Sequence, residues 1–462
     1  MTSNRRPHCL LLASTMLCLV ILPSSSVLAR TEPSQPNNSD NTDTKAGSDT
    51  TTEAQPESSD EPKKTHGLFD PDYQYMLGDW GGVRTDLQEL GIKFKIKLMN
   101  QFMVNMHGGK ETKNGNDTAG SYEFNVYLDM NKLLNIEGAT FWIRGKGTWG
   151  GDTSDFDKEK IGAFFKTNQD ASSEEPLFVD KWHWQQFLFD KKVELRLGRQ
   201  EPVKDLFDRS KIIGHEDKWF MNRALVRNAT IPSKKGLSLF ARWNFSKCAY
   251  VSAAVFDANA HDRQTNFNTA FHGPDEFRFY AELGCKPNIP SAHGKLKGHY
   301  RIGTWYDPTL KKQFLDTLGG LRADRFQSGD WGLYLGFDQM VWKENDNPKD
   351  KQGLSIAGRY GHANGEFHKV EDFWAVAVQY AGLIPNRDKD LVGFGVAQGI
   401  FGEEYRRVKT RADRETVYEL YYAFQVSPWL TISPDLQFIS NAGGNADDPD
   451  TFVGGLRFKM AL

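Results

Sequence analysis

Beyond its first thirty residues the chain has no run approaching the ~20 apolar residues that a membrane-crossing helix needs, which excludes a helical membrane protein. Cysteine is nearly absent. Of four in 462 residues, Cys9 and Cys18 lie in the apolar N-terminal run, leaving Cys248 and Cys285. A disulfide scaffold is therefore excluded. Net charge is also small, −3, and gives no argument for a nucleic-acid partner. No nucleotide-binding loop, zinc motif, Gly-x-Ser-x-Gly or His-Glu-x-x-His occurs, and no internal repeat stands out. His215-Glu216 and His261-Asp262 read better as solvated loop side chains than as metal ligands. No cofactor is indicated.

What the chain has in quantity is glycine and aromatic residues: 42 Gly, 31 Phe, 15 Tyr and 12 Trp. Its mean hydropathy of −0.58 resembles that of a soluble protein. A membrane β-barrel has the same signature, because half of each strand faces water.

The N-terminus has the form of an export signal. Arg5 and Arg6 precede an apolar run from Cys9 to Leu22, Pro23 breaks it, and Val27-Leu28-Ala29 offers compact residues to a signal peptidase. We read 1–29 as a signal peptide cleaved after Ala29. Cys18 follows Met16-Leu17 and does not read as a lipoprotein site. Residues 30–66 are Ser, Thr, Asn, Pro, Asp and Glu with almost no large apolar side chain. Such a segment cannot offset its ordering entropy by burial, so it is expected to be a disordered, acidic leader. Residues 67–91 form a short helical segment ahead of the strands. Thr85 or Asp86 is the expected helix cap, and Gly91 suits the positive φ that follows a helix end.

From Ile92 the period changes to two. Ile92, Phe94, Ile96 and Leu98 alternate with Lys93, Lys95 and Lys97; Tyr122, Phe124, Val126 and Leu128 alternate with Glu123, Asn125, Tyr127 and Asp129. Segments of this kind recur at about 139–146, 181–190, 192–200, 236–244, 248–256, 276–286, 296–306, 330–342, 353–361, 372–382, 391–401, 415–426, 429–440 and 451–462. Strands of ~9–11 residues cross a bilayer when tilted, and an even number closes a sheet without free edges. The fold expected for 92–462 is therefore all-β: a transmembrane antiparallel β-barrel of about sixteen strands, wide enough to keep an aqueous lumen. The longest gaps are 150–179 and 201–235. The first, rich in Asp and Lys between glycines, is the one expected to fold into the lumen.

The wording of the chain adds a resemblance. Gly78-Asp79-Trp80-Gly81-Gly82-Val83-Arg84, continuing to Leu87 and Gly91-Ile92, resembles the opening of the carbohydrate-selective outer-membrane porins of the OprB type. Gly198-Arg199-Gln200, the segment 298–306, Gly332 to Gln339, Tyr380 to Asp390, Glu415 to Tyr422, Ser427 to Ile439 and Gly455 to Phe458 follow in that family's order. The likeness covers about 78–462. It implies a sixteen-stranded porin in the cell outer membrane that passes small sugars by diffusion, with loops narrowing the lumen. It further implies contact with outer-membrane lipid and insertion by the barrel assembly machinery; a homotrimer stays open. One departure is the last residue, Leu462, where such strands usually end in Phe. A general or anion-biased porin is the alternative. A glycosidase or a secreted β-rich carbohydrate-binding protein has less support, since sixty Asp plus Glu make chance carboxylate pairs inevitable.

A sugar channel needs aromatic faces to stack on pyranose rings and charged groups to bond hydroxyls. The faces assigned to the lumen supply candidates: Glu123, Tyr127, Trp142, Arg144, Lys146, Arg196, Arg278, Glu282 and Asp435. Arg144 and Trp142 are expected at the narrow zone. Most other Trp residues are expected in interfacial girdles, and Trp80 against the barrel mouth. Cys248 and Cys285 fall almost opposite each other in a hairpin centred near Asn266 or Phe267. A disulfide and two buried free thiols are both compatible with that placement.

Overall fold

A computed structural model describes residues 65–462 except 151–154, 171–173, 215–218, 275, 315–325, 348–349, 410–412 and 446. The signal peptide and almost all of the acidic leader lie outside the described residues. At the start of the described residues the His66 amide donates to Asp79 at 3.0 Å.

Sixteen strands form the wall. They are β1 (Ile92–His107), β2 (Asn116–Asp129), β3 (Ala139–Gly150), β4 (Glu175–Leu188), β5 (Val193–Gln200), β6 (Gly236–Trp243), β7 (Ala249–Asp257) and β8 (Phe277–Cys285). The second half comprises β9 (Gly294–Asp307), β10 (Asp330–Lys343), β11 (Gly353–Ala363), β12 (Val370–Ala381), β13 (Leu391–Phe401), β14 (Arg414–Ser427), β15 (Leu430–Ser440) and β16 (Thr451–Ala461). Short pairings at Asn288–Ser291, Lys311–Lys312 and Phe326–Gln327 stand beside them. Each strand pairs antiparallel with its sequence neighbours, and β16 returns to β1 from Lys97↔Ala461 to His107↔Phe452, so the sheet closes. Closure satisfies every wall edge without water, which the interior of a bilayer requires.

The period-2 pattern sets the two faces. Phe102, Phe124, Phe279, Ile302, Phe394 and Leu436 point outward and stay 41–56% exposed. An apolar band of that extent is unfavourable in water and favourable against lipid. Short connections gather at one rim and long ones at the other, the pattern of periplasmic turns and outer loops. At β4–β5 the turn is tight enough to place Phe189, Asp190 and Lys191 all at positive φ.

The N-terminal segment sits on the short-turn rim. Its helix α1 (Val83–Glu89) starts one turn earlier than a cap at Thr85 or Asp86 would allow. Gly82 occupies the cap position, and Asp79 serves the orphan donors instead, accepting from Gly82 and, through its carbonyl, from Arg84. Gly91 follows the helix at φ 99°, where a Cβ would come within 2.9 Å of Lys132. Trp80 packs on Phe94 of β1, and the Arg84 guanidinium lies between Tyr75 and Trp80 while donating to the Leu462 carbonyl. The segment thus spans the β1–β16 seam.

Both long loops enter the lumen. Residues 155–170 carry a single π-type turn (Phe156–Ile161), and the described residues of the second loop, 201–214 and 219–235, run along the inner wall. They are tied to each other by Arg223 N to the Lys166 carbonyl and Gln169 N to the Met221 carbonyl. Against β11–β16 they bury Phe165, Ile213, Phe220 and Leu225. The wall makes room for them with small inward residues: a Cβ on Gly395 would meet Leu225 at 2.8 Å, and one on Gly399 would meet Phe165 at 2.6 Å. The inward path of 155–170 matches the expectation. That of 201–235 is an addition to it.

Candidate functional site

Apolar packing along β11–β16, together with a second cluster in which Val203, Leu206, Phe207 and Ile231 of the 201–235 loop bury Phe240, Phe256, Tyr280 and Trp305 of β6–β9, leaves the charged wall from β1 to β5 as the wet side. On it, Glu123 and Tyr127 of β2 face Lys146 and Trp142 of β3 across register pairs, with Asn125 opposite Arg144 between them. Five of the nine sequence candidates are therefore brought together. Glu123 is central: Lys97 approaches it at 3.2 Å, Arg144 at 3.5 Å and Lys146 at 4.0 Å. Arg144 also pairs with Asp180, which Lys235 shares. Lys146 pairs with Asp170 of the inner loop at 3.0 Å. The network is close to balanced, with Lys97, Arg144, Lys146 and Lys235 against Glu123, Asp170 and Asp180.

Below it on the same wall is an aromatic surface. The Trp142 ring is 6.2 Å from Tyr127 and 4.9 Å from His183, and its indole N–H donates to Asn125. Lys95 lies over Tyr127 at 5.3 Å and Lys181 over Trp142 at 5.9 Å. A ring face next to paired charges is the chemistry a pyranose requires: an apolar face to stack on and fixed donors and acceptors for hydroxyls.

The other four candidates are elsewhere. Arg196 faces the lumen from β5, paired with Glu194 at 2.6 Å. Arg278, 6% exposed, is held by Asp307 at 2.8 Å. Glu282, 2% exposed, accepts from Tyr250, Tyr334 and the Asp208 amide, and so anchors the 201–235 loop. Asp435, also 2% exposed, accepts from Gln437, whose amide holds the Thr167 carbonyl of the other loop. Glu282 and Asp435 thus sit behind the loops, and Arg278 is buried against Asp307, away from the other five.

Sequence reasoning passed over two groups. Lys93, Lys95 and Lys97 point inward on β1 with Met99 and Gln101, and their alternation was itself the signal. The 201–235 loop contributes Asp205, Arg209 and Lys211, which no period marks. Burial raises the Asp205 carboxyl, and Lys181 and Arg144 more than reverse this, holding it well below the usual range. Burial likewise pushes Asp157 of the 155–170 loop up to about 7, against hydrogen bonds from the Thr167 amide and hydroxyl.

Several expectations about other residues are resolved here. Cys248 and Cys285 are both free, and Cys248 is exposed, so the thiols are neither bridged nor both buried. In the register Cys285 faces Ala249, one residue from Cys248, so the two free thiols are near neighbours at the end of the β7–β8 pair. His215 and Glu216 lie outside the described residues, and Asp262 is paired with Arg199. Among the described residues no cluster of His, Cys, Asp and Glu suits a metal.

Residues 113–462 match the family described as carbohydrate-selective porin, OprB family. Porin B of Pseudomonas aeruginosa is 24% identical over 433 residues, covering 85% of this chain and 92% of that one. A putative porin, QuiX, of Acinetobacter baylyi is 23% identical over 85% of this chain and 94% of its own length. Among solved structures, the high-pH structure of Pseudomonas putida OprB superposes with a TM-score of 0.76 at 22% identity, covering 86% of this chain and all of that one.

Proposed function

Because the chain belongs to the OprB family of carbohydrate-selective porins, and is an outer-membrane channel rather than an enzyme, we propose that sugars cross it along the β2–β4 wall, over Tyr127 and Trp142 and past Glu123, Arg144 and Lys146. The observation that carries this reading is the convergence of two aromatic rings with a paired guanidinium and carboxylate on a wall that lies outside both apolar loop clusters. Transport on this reading is diffusion through water with transient contacts. Each contact is worth only ~1 kcal/mol, since water replaces a lost hydrogen bond in a wet lumen. Weak contact suits a channel, because tight binding slows exit.

Arg196 extends the charged wall toward the periplasmic rim, while Arg278, Glu282 and Asp435 shape the pore by holding the loops. On the same reading the domain organisation is a cleaved signal peptide at 1–29, an acidic leader to about 66, a periplasmic segment to 91 and the barrel from 92. Insertion by the barrel assembly machinery and association into homotrimers belong to this proposal. The Arg84 contact to Leu462 supports a role for the N-terminal segment in sealing the last strand.

Single-channel recording with and without glucose or maltose tests the sugar path. Arg144→Ala is expected to raise conductance and weaken sugar block, and Trp142→Ala to weaken block with little change in conductance. Unchanged conductance and block in both variants remove this wall from the path.

A further inference from the structure

The 201–235 loop crosses the lumen pinned at alternate residues. The Asp208 amide donates to Glu282 at 2.9 Å and its carboxylate accepts from Arg301 at 3.0 Å. The Ser210 hydroxyl donates to Asp338. Between and beyond these buried anchors, Arg209 and Lys211 are held outward into the lumen, and both are exposed. Neither forms an ion pair among the described residues. Around them the wall adds Arg196 and Arg242, which share the single carboxylate of Glu194 at 2.6 and 4.0 Å. Lys286, just below β8, is exposed and lies over the Tyr250 ring at 4.9 Å. Glu282, the next carboxylate, is already engaged by Tyr250, Tyr334 and the Asp208 amide. Asp205 is taken by Lys181 at 2.7 Å. Arg196, Arg209, Lys211 and Lys286 thus face one chamber, backed by the buried Arg242, which also donates to Ser252 and the Leu206 carbonyl, with little carboxylate left to balance them, unlike the near-neutral network at Arg144.

Burial first, and the nearby Arg196 and Arg242 after it, push Arg209 below the usual guanidinium range, against Asp205 and Glu194. Low-dielectric walls focus the field of such cations, so its effect on a passing ion exceeds that of the same charges on an open surface. Guanidinium forks also match the planar geometry of oxyanions.

We infer that Arg209, Lys211 and Lys286, with Arg196 and Arg242, form an anion subsite on the periplasmic side of the sugar path, which takes sugars bearing a carboxylate or phosphate. The inference rests on the channel reading and deepens it: neutral sugars cross the β2–β4 wall, and anionic ones are held additionally at the chamber. Pinned backbone on both sides of Arg209 keeps the site formed in the empty channel.

The test uses the full chain in planar bilayers at about 0.1 M salt, where charges act over ~10 Å, with glucose, gluconate and glucose 6-phosphate as blockers. At least one of the two anions is expected to block at a several-fold lower concentration than glucose. Which of them does so tells carboxylate from phosphate recognition. The double substitution Arg209→Gln with Lys211→Gln is expected to raise the half-blocking anion concentration about fivefold and leave glucose block unchanged. Neither anion blocking better than glucose, or equal shifts for anion and neutral sugar, overturns the subsite. Should the double variant fail to give a heat-modifiable barrel, Lys286→Gln carries the same comparison with a smaller expected shift. A wild-type channel closed to glucose contradicts the channel reading instead, so the two failures are distinguishable.

Discussion

Along β11–β16 the inward register carries Ala357, Ala375, Gly395, Ala397 and Gly399, and two loops bury Phe165, Phe220 and Leu225 against them. Along β2–β5 the same register carries Glu123, Arg144, Trp142 and Arg196, and the loops reach it through ion pairs such as Lys146–Asp170 and Lys181–Asp205. The wall geometry is alike on both sides; side-chain size and charge differ. Small inward residues admit loop side chains and exclude water. Large charged ones keep the loops at a distance and retain it. The polar groups on the apolar side, Glu415, Glu419 and Asp435, serve as loop anchors.

The strongest way to break this difference is to remove an apolar anchor. Phe220 is 1% exposed and its ring meets Tyr421 edge-on at 4.9 Å. Phe220→Ala is expected to cost ~3–5 kcal/mol of local stability through lost burial and a cavity. The loop then loosens, and single-channel conductance rises and becomes noisier. A quiet channel of unchanged conductance contradicts the packing account.

A smaller effect comes from pH. The folded value of about 7 for Asp157 lies above that of a free Asp. Between roughly pH 4 and 7 the folded chain holds this proton and the unfolded chain does not. Its contribution to stability is therefore present at the acid end and falls as pH rises through about 7. Loop fluctuations in the current record are expected to increase from about pH 5.5 to about pH 8.5, roughly 1.5 pH units either side of that value. Asp157→Asn should flatten the dependence, and a variant as pH-sensitive as wild type argues against this group.

The smallest effect is expected outside both halves. Cys248 is exposed at the short-turn rim, so Cys248→Ser should change stability by less than ~0.5 kcal/mol. Thiol titration of the denatured, unreduced chain should find Cys248 and Cys285 both free. A bridge between them would tie β7 to β8 at that rim and contradict the free thiols described.

Much of this was legible in the sequence, for a specific reason. A strand between lipid and water must alternate, so β2 declared both of its faces through Tyr122 to Asp129, and all sixteen strands could be placed. Where the bilayer ends, the constraint ends. Thus β2 begins at Asn116 and β4 at Glu175, through residues whose polarity no longer marks a face. The cluster of Glu123, Tyr127, Trp142, Arg144 and Lys146 was legible because adjacent strands fix their neighbours. Arg278, Glu282 and Asp435 share that inward parity, and parity alone does not say whether a loop covers them. The path of 201–235 left no period, although its imprint is present in the wall as Gly393, Gly395, Ala397 and Gly399, a row of small residues on one face of β13.

The claim that water and sugar follow the charged half is tested most directly by chemical accessibility. In a Cys248→Ser, Cys285→Ser background, Tyr127→Cys and Ala397→Cys place one thiol on each side of the lumen. A small water-soluble maleimide applied to intact membranes is expected to modify Tyr127→Cys quickly, and glucose should slow that reaction. Ala397, fully buried beneath the loops, should leave its replacement unmodified until the barrel is denatured. Equal reaction at the two positions, or no protection of Tyr127→Cys by sugar, contradicts the account.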